Sequence, residues 1–170
     1  AQPITGLTSP RAVFSPDGLL IVGADGDREI SPDGLLSVRA GGDWEIRVCE
    51  AATGRLVRSL RLEGTEPLEV VAVSPDNRLL AVARGKRVEL WDLESGQRQA
   101  VVPSSFDAGY MQHITTLAFA PNGKYLAVGL GRFGFHMGAS YEGPTYGPIY
   151  VCDVASGRSI RLLEGHRNSV

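Results

Sequence analysis

The sequence is poor in the residues on which several common architectures depend. No run of about 18 consecutive apolar residues occurs, which excludes a membrane-spanning helix. Only two cysteines are present, Cys49 and Cys152, too few for a Cys-rich scaffold and wrongly spaced for a paired-Cys zinc motif. They fall in the same slot of two copies of a repeat, so they read as buried packing thiols; one slot in two different units does not come within bonding distance of itself. Lysine is scarce, two residues against fifteen arginines, and the formal net charge is −2. Without a concentrated basic surface, neither nucleic acid nor an anionic membrane is an expected partner. No stretch has a convincing helical period. No Gly-rich phosphate cradle leads into Lys and Ser or Thr, and no Ser, His or Asp stands in a nucleophile-elbow context. The first residue is Ala1, which leaves open a processed terminus or the edge of a trimmed chain.

What the sequence does contain is repetition. With 170 residues, 43% apolar and 21% charged, it suits an ordinary globular domain with a substantial core. Four copies of one phrase punctuate it: Ser15-Pro16-Asp17-Gly18, Ser31-Pro32-Asp33-Gly34, Ser74-Pro75-Asp76-Asn77 and Ala120-Pro121-Asn122-Gly123. Pro presets φ, Asx caps the turn through its own side chain, and Gly or Asn tolerates a left-handed backbone, so each copy predicts a tight hairpin turn. A second phrase follows: Cys49-Glu50, Trp91-Asp92 and Cys152-Asp153 end alternating apolar stretches, and Thr53-Gly54, Ser95-Gly96 and Ser156-Gly157 come four residues after each Cys or Trp.

Between the turns, β-branched and aromatic residues alternate with period two. The middle unit predicts strands over Leu68–Ser74, Leu79–Ala83, Arg87–Trp91 and Arg98–Val102, a four-stranded antiparallel meander. The next repeats it over Ile114–Ala120, Tyr125–Leu130, Ile149–Cys152 and Ser159–Leu163. The unbroken apolar run Leu79 to Ala83 suits a strand covered on both faces by neighbouring sheets. Ser31 to Ser74 spans 43 residues and Ser74 to Ala120 spans 46, close to the roughly 40–45 of one four-stranded propeller blade.

These residues closely resemble the WD-repeat β-propeller family, whose blade carries a Gly-His pair, a Ser-Pro-Asp-Gly hairpin, an Asp before the third strand and Trp-Asp at its end. Trp91-Asp92 matches fully, Cys49-Glu50 and Cys152-Asp153 match in degenerate form, and Gly165-His166 matches the start of a further blade. The resemblance covers most of residues 11–170. It implies an all-β fold: a β-propeller of four-stranded antiparallel blades forming an incomplete ring of about three to four blades. The whole of 1–170 is then a single partial propeller, with irregular first blade material over 1–62, a regular blade over 66–102, a second over 114–163, and the opening of another at 164–170. The family's buried tetrad of His, Ser or Thr, Asp and Trp is complete in no single blade. Ser37 and Asp43 sit near the right places in the first unit, but its Trp position is Cys49, so blade cohesion is expected to rest mainly on apolar packing.

Residues 1–36 are the least regular, because two hairpin phrases stand 16 residues apart. A duplicated strand pair, a degenerate blade with Glu29-Ile30-Ser31 as a very short strand, or a missing segment would each account for it. An open ring exposes blade faces and strand edges. These are expected to be covered by the remaining propeller blades of a longer protein, by another chain, or by a second copy in a homo-oligomer.

Hairpin to Cys or Trp takes 18 residues from Ser31 to Cys49, 17 from Ser74 to Trp91 and 32 from Ala120 to Cys152. About 15 residues, essentially 131–147, are thus inserted between the second and third strands of the last full unit. With the preceding connection, 103–113, this insert holds the candidate binding residues: Phe106, Tyr110, Met111, Phe133, Phe135, His136, Met137, Tyr141 and Tyr146. Aromatic and Met enrichment away from strands suggests a recognition patch for a protein or peptide; internal packing of a long loop is the competing reading. His113 and His136, with Asp107 and Glu142, lack the spacing of a metal site, so no metal and no cofactor is expected. The arginines, including Arg55, Arg58 and Arg61, read as solvated strand edges. The sequence therefore points to a non-enzymatic interaction scaffold or partner-binding module, expected in the cytoplasm, with a secreted or periplasmic setting as the variant. The alternative is a propeller enzyme of the metal-assisted hydrolase or lactonase kind.

Overall fold

The computed structural model describes residues 12–25, 29–30, 37–38, 44–64, 66–102, 112–132 and 147–164. In chain order the strands are β1 (Ala12–Phe14), β2 (Leu20–Asp25), β3 (Glu29–Ile30), β4 (Ser37–Val38), β5 (Trp44–Glu50), β6 (Leu56–Leu62) and β7 (Leu68–Val73). They continue with β8 (Leu79–Arg84), β9 (Arg87–Asp92), β10 (Arg98–Val102), β11 (Gln112–Phe119), β12 (Tyr125–Arg132), β13 (Ile149–Asp153) and β14 (Arg158–Leu163). Among the described residues there is no helix, so none is long and apolar enough to cross a membrane. Three antiparallel four-stranded sheets result: β1-β2-β5-β6, β7-β8-β9-β10 and β11-β12-β13-β14. They are blades 1, 2 and 3 below, stacked face to face and not closed into a ring.

Among the described residues, both repeated phrases form the turns that their chemistry predicts. In blade 1 the Gly18 amide donates to the Ser15 carbonyl (2.8 Å), the Leu20 amide donates to Ser15 Oγ (2.9 Å), and Ser15 Oγ donates to Asp17 Oδ1 (2.6 Å). Blade 2 repeats this with Asn77 to Ser74 (2.9 Å), Leu79 to Ser74 Oγ (2.8 Å) and Ser74 Oγ to Asp76 Oδ1 (2.6 Å). Blade 3, with Ala120 in place of Ser, keeps the backbone bonds and loses the hydroxyl. Gly18, Asn77 and Gly123 hold φ of +72°, +59° and +68°, the left-handed residue that closes such a hairpin.

At the second phrase, the Gly54, Gly96 and Gly157 amides donate to the Glu50, Asp92 and Asp153 carbonyls (2.8, 2.8 and 2.9 Å). Asp92 and Asp153 also accept from the amide and hydroxyl of Ser95 and Ser156, and Glu50 accepts from the Thr53 hydroxyl. The two phrases are joined: Ala51 N donates to Leu19 O, Leu93 N to Arg78 O and Val154 N to Lys124 O, at 2.8, 2.8 and 2.9 Å. They mark one common end of the blades, called lower here.

The first blade requires a correction. Its hairpin is Ser15–Gly18, between β1 and β2, and not Ser31–Gly34 as the 18-residue spacing to Cys49 implied. β3 and β4 pair only with each other, as a separate two-stranded hairpin between the second and third strands of blade 1. Ile30 and Ser37 are partners there, so the second copy of the phrase lies in the connection of that extra hairpin, at residues 31–36. Glu29–Ile30 is indeed a very short strand.

Two apolar clusters cement the stack. The first joins Val22, Ile46, Val48, Leu60 and Leu62 of blade 1 to Leu80, Val82 and Trp91 of blade 2. The second joins Ala81, Ala83, Val88, Leu90 and Val102 of blade 2 to Leu126, Val128, Leu130, Tyr150 and Cys152 of blade 3. The central run Leu80 to Ala83 contributes alternately to both clusters, which is why it carries no polar residue. Cys49 and Cys152 are buried free thiols, as expected, and burial pushes the Cys152 thiol up to about 11.

Candidate interaction surfaces

The upper end of the stack is held by buried polar groups. Arg84, at the end of β8, and Glu89, on β9, are 1% and 0% exposed. Val82 and Glu89 are register partners, as are Arg84 and Arg87 and also Leu80 and Trp91, so these six side chains share the face that meets blade 1. Arg84 donates through Nη1 to Glu63 O (2.9 Å) and through Nη2 to Gly64 O (3.1 Å) and Glu66 O (3.4 Å). One guanidinium thereby pins the whole connection between β6 and β7. Glu89 Oε1 lies 3.6 Å from Arg84 Nη1, 3.2 Å from Arg87 Nε and 3.7 Å from Arg98 Nη1. Its Oε2 accepts the Trp91 indole N–H at 3.0 Å. Arg87 also reaches Glu66 Oε2 at 2.9 Å. A carboxylate among three guanidiniums offsets the desolvation that would otherwise expel it from a dry interface.

This network was not anticipated. Apolar packing was expected to carry most of the cohesion, whereas the Trp of blade 2 also has a buried Glu partner in place of the tetrad. The signal was present in Arg87-Val88-Glu89-Leu90-Trp91, where alternation puts Glu89 on the same face as Trp91.

A second clamp joins blades 2 and 3. The ladder between β7 and β8 shifts register between Leu68 and Val70, so Glu69 is the extra residue of a bulge, a device that re-aims a side chain. Its Oε2 accepts the Ile114 amide at 2.8 Å, and its Oε1 meets His113 Nδ1 at 2.8 Å. His113, weighed above as a metal candidate, is thus engaged by a carboxylate at the start of β11. Asp107, His136 and Glu142 lie outside the described residues, and no group of three or more potential ligands occurs among the described ones.

Gln112 pairs with Arg132 and His113 with Gly131, so β11 starts where β12 ends. The connections 103–111 and 133–146 therefore leave from the same upper end of blade 3, beside the Glu69–His113 clamp. Gly147 anchors the return of the second: Leu130 N donates to Pro148 O at 3.1 Å, and a Cβ on Gly147 would stand 1.6 Å from the Leu130 carbonyl oxygen. All nine candidate binding residues fall in these connections, Phe106, Tyr110 and Met111 in the first and Phe133, Phe135, His136, Met137, Tyr141 and Tyr146 in the second, and all lie outside the described residues.

The remaining surfaces are the outer faces of blades 1 and 3. Among the described residues, no apolar cluster covers either. Register makes them comparable with the covered faces. Leu60, Val102 and Leu163 are opposite Ile46, Val88 and Ile149 in successive blades; they are 1%, 1% and 41% exposed. On the opposite faces Phe14, Val73 and Phe119 precede the first turn of each blade. Val73 and Phe119 pack against the two clusters, whereas Phe14 is 66% exposed.

The outer strands carry the arginines. Arg58, on β6, crosses to blade 2, where its Nη1 is 3.4 Å from Ser95 O. A Cβ on Gly96 would stand 3.1 Å from Arg58 Cδ. Arg55 is exposed at the strand's start, 3.7 Å from Glu50, and Arg61 is exposed further along it.

Comparison with known proteins agrees with this geometry. The family model described as "WD domain, G-beta repeat" matches residues 105–132. Meiotic fizzy-related protein 1 of Schizosaccharomyces pombe is 30% identical over 94 residues, covering 55% of this chain and 18% of that protein. Among solved structures, the crystal structure of RRP9 WD40 repeats superposes with a TM-score of 0.61 at 20% identity, over 94% of this chain and 39% of that one. The structure of U3-55K gives 0.60 at 20% identity, over 94% and 40%. The chain thus spans about two fifths of these solved structures and less of the curated relative.

Proposed function

The chain is a stack of WD-repeat β-propeller blades, and we propose that it works as a non-enzymatic protein-interaction scaffold whose recognition site is the upper rim of blade 3. The reading rests on one observation: the connections 103–111 and 133–146, which hold six of the ten Phe and Tyr residues and both methionines, depart together from one rigidly clamped end of a blade. Glu69 fixes the start of β11 and Gly147 packs on Leu130, and from that base we assign Phe133, Phe135, Tyr141 and Tyr146, with Phe106 and Tyr110, to desolvation against a peptide or protein surface. Aromatic anchors on a fixed base contribute most of the binding energy in such interfaces. Phe133→Ala combined with Phe135→Ala weakens partner capture and leaves the melting temperature unchanged. A fall in melting temperature with capture intact would assign both rings to loop packing and refute the proposal.

A further inference from the structure

We propose that Asn122 is a site of spontaneous deamidation, at which the folded chain rewrites one of its own hairpin turns. The reaction needs an asparagine whose successor can bring its amide nitrogen onto the side-chain carbonyl carbon, and glycine, with no Cβ, hinders that approach least. Of the three asparagines, Asn77 precedes Arg78, Asn168 precedes Ser169 and lies outside the described residues, and Asn122 precedes Gly123.

The three lower hairpins differ in how firmly they hold this position. In blades 1 and 2 the side-chain oxygen of Asp17 or Asp76 accepts from the hydroxyl of Ser15 or Ser74, both at 2.6 Å, and from the amide of Leu19 or Arg78, at 2.9 and 3.1 Å. In blade 3 Ala120 replaces the serine, and Asn122 Oδ1 accepts from the Lys124 amide at 3.0 Å. Asn122 is exposed, as is its equivalent Asp76 in the middle blade, which has a neighbour on either side. A Cβ on Gly123 would meet nothing nearer than Pro75 Cδ at 3.9 Å, so the turn has room to reshape. Asn77 differs in both respects: its Oδ1 is buried, and its successor carries a long side chain. What restrains Asn122 is the hydrogen bond that the Gly123 amide donates to the Ala120 carbonyl, 2.9 Å. A local opening of this turn frees the nitrogen, and such openings cost far less than global unfolding.

Once free, Gly123 N loses its proton to hydroxide and attacks Asn122 Cγ. The Cγ–Nδ2 bond breaks, and the side-chain nitrogen takes a proton from water and leaves as ammonia. Water then opens the cyclic imide. Cleavage between Gly123 N and Cγ gives aspartate with the main chain intact; cleavage between Gly123 N and the Asn122 carbonyl carbon gives an isoaspartyl link, with the chain routed through Cβ and Cγ. Aspartate makes the phrase in blade 3 the Pro-Asp-Gly of blade 1, whose turn closes in the same way. The isoaspartyl link instead lengthens the main chain between Ala120 O and Gly123 N. It also displaces Lys124, whose carbonyl accepts the Val154 amide at 2.9 Å. Conversion therefore loosens, with age, the tie between the second and third strands of blade 3. The site lies at the opposite end from the rim proposed to bind a partner, so either reading can fail while the other stands.

The test incubates the folded 170-residue chain in mildly alkaline buffer and follows each asparagine by peptide mapping and mass spectrometry, with the chain in urea as reference. The Asn122 peptide should gain the mass of an amide-to-acid exchange and split into two chromatographic forms, aspartyl and isoaspartyl, while the Asn77 peptide stays unchanged over the same period. Ala120→Ser, which restores the hydroxyl of the sister turns, should slow conversion about fivefold, the weight of one net hydrogen bond. The isoaspartyl fraction should melt below the unmodified chain. Conversion in urea without conversion in the folded chain would show that the Gly123–Ala120 bond protects the site, and would overturn the proposal. So would equal rates at Asn77 and Asn122, or an unchanged rate in Ala120→Ser.

Discussion

Removing the carboxylate of Glu89 leaves the Arg84 guanidinium, 1% exposed, without its buried counter-charge and opposed only by the more exposed Glu66, 3.7 Å away. Breaking a buried pair in this way costs about 3–5 kcal/mol. Because Arg84 keeps its three backbone carbonyls and Arg87 retains Glu66, Glu89→Leu belongs at the low end, about 3 kcal/mol. Arg84→Met costs about the same, since it releases the β6–β7 connection and takes one of the three guanidiniums from Glu89. The double variant removes both charges from the core and leaves packed apolar groups. It should therefore be less destabilised than the sum of the singles by at least about 2 kcal/mol, a coupling typical of groups in one network. In urea, with a slope of about 2 kcal/mol per molar, each single variant lowers the midpoint by about 1.5 M. Trp91, whose indole donates to Glu89, supplies the fluorescence signal. Single variants costing under about 1 kcal/mol, or a double equal to the sum of its parts, would refute the assignment of this cluster as a buried, mutually dependent clamp.

Gly96 and Gly18 have nearly equal φ, +71° and +72°, but only Gly96 faces a neighbour, Arg58 Cδ at 3.1 Å. Gly18→Ala should cost about 1 kcal/mol for the backbone alone, and Gly96→Ala about 1 kcal/mol more, read as a melting point lower by roughly a further 2–4 °C; equal losses would remove the contact from consideration. Ser15 beside Asp17, Ser74 beside Asp76, Ser95 beside Asp92 and Ser156 beside Asp153 hold those carboxyls below their usual 3.8. A pKa lowered on folding contributes stability that is complete above 3.8 and is lost as pH falls through the lower folded values. Acid unfolding should thus steepen below that point, and Ser74→Ala should flatten it; a midpoint unaffected by pH between 5 and 2 would contradict the turn geometry. With its thiol near 11, Cys152 is about one part in a thousand thiolate at pH 8, so a thiol reagent should label it only after denaturant is added. Rapid labelling of the native chain would show that blades 2 and 3 are not packed as described.

Blades 2 and 3 were legible almost to the residue, because Ser74–Asn77 and Trp91–Gly96 are local turns whose chemistry resides in their own side chains. The all-β fold followed from the same spacing, and the resemblance to WD-repeat propellers from residues such as Trp91-Asp92. Blade 1 was misread at one point: Ser31–Gly34 carries the same turn chemistry as Ser15–Gly18, and which copy joins a four-stranded sheet depends on distant pairing, Ile21 with Cys49 and Val22 with Val48. Local propensity cannot distinguish them. Arg84, Glu89 and Glu69 escaped attention for a related reason. Each is an ordinary charged residue in a strand, and only the stacking of one blade on another turns it into a buried clamp. The aromatic patch was chosen from the length of an insert and its composition, and its residues lie outside those described.

The hydrogen bonds that tie Leu19 to Ala51, Arg78 to Leu93 and Lys124 to Val154 fix strands two and three of each blade from below. With alignment set at that end, the connection at the other end is free to differ from blade to blade. Nature has used that freedom twice here, with a small hairpin in one leaf and a long aromatic excursion in another. The tight bend at Gly85–Lys86 is the exception: Arg84 and Arg87 on either side of it both pair with Glu66 and Glu89, so in the middle leaf the same connection is tied into the interface and has to stay short.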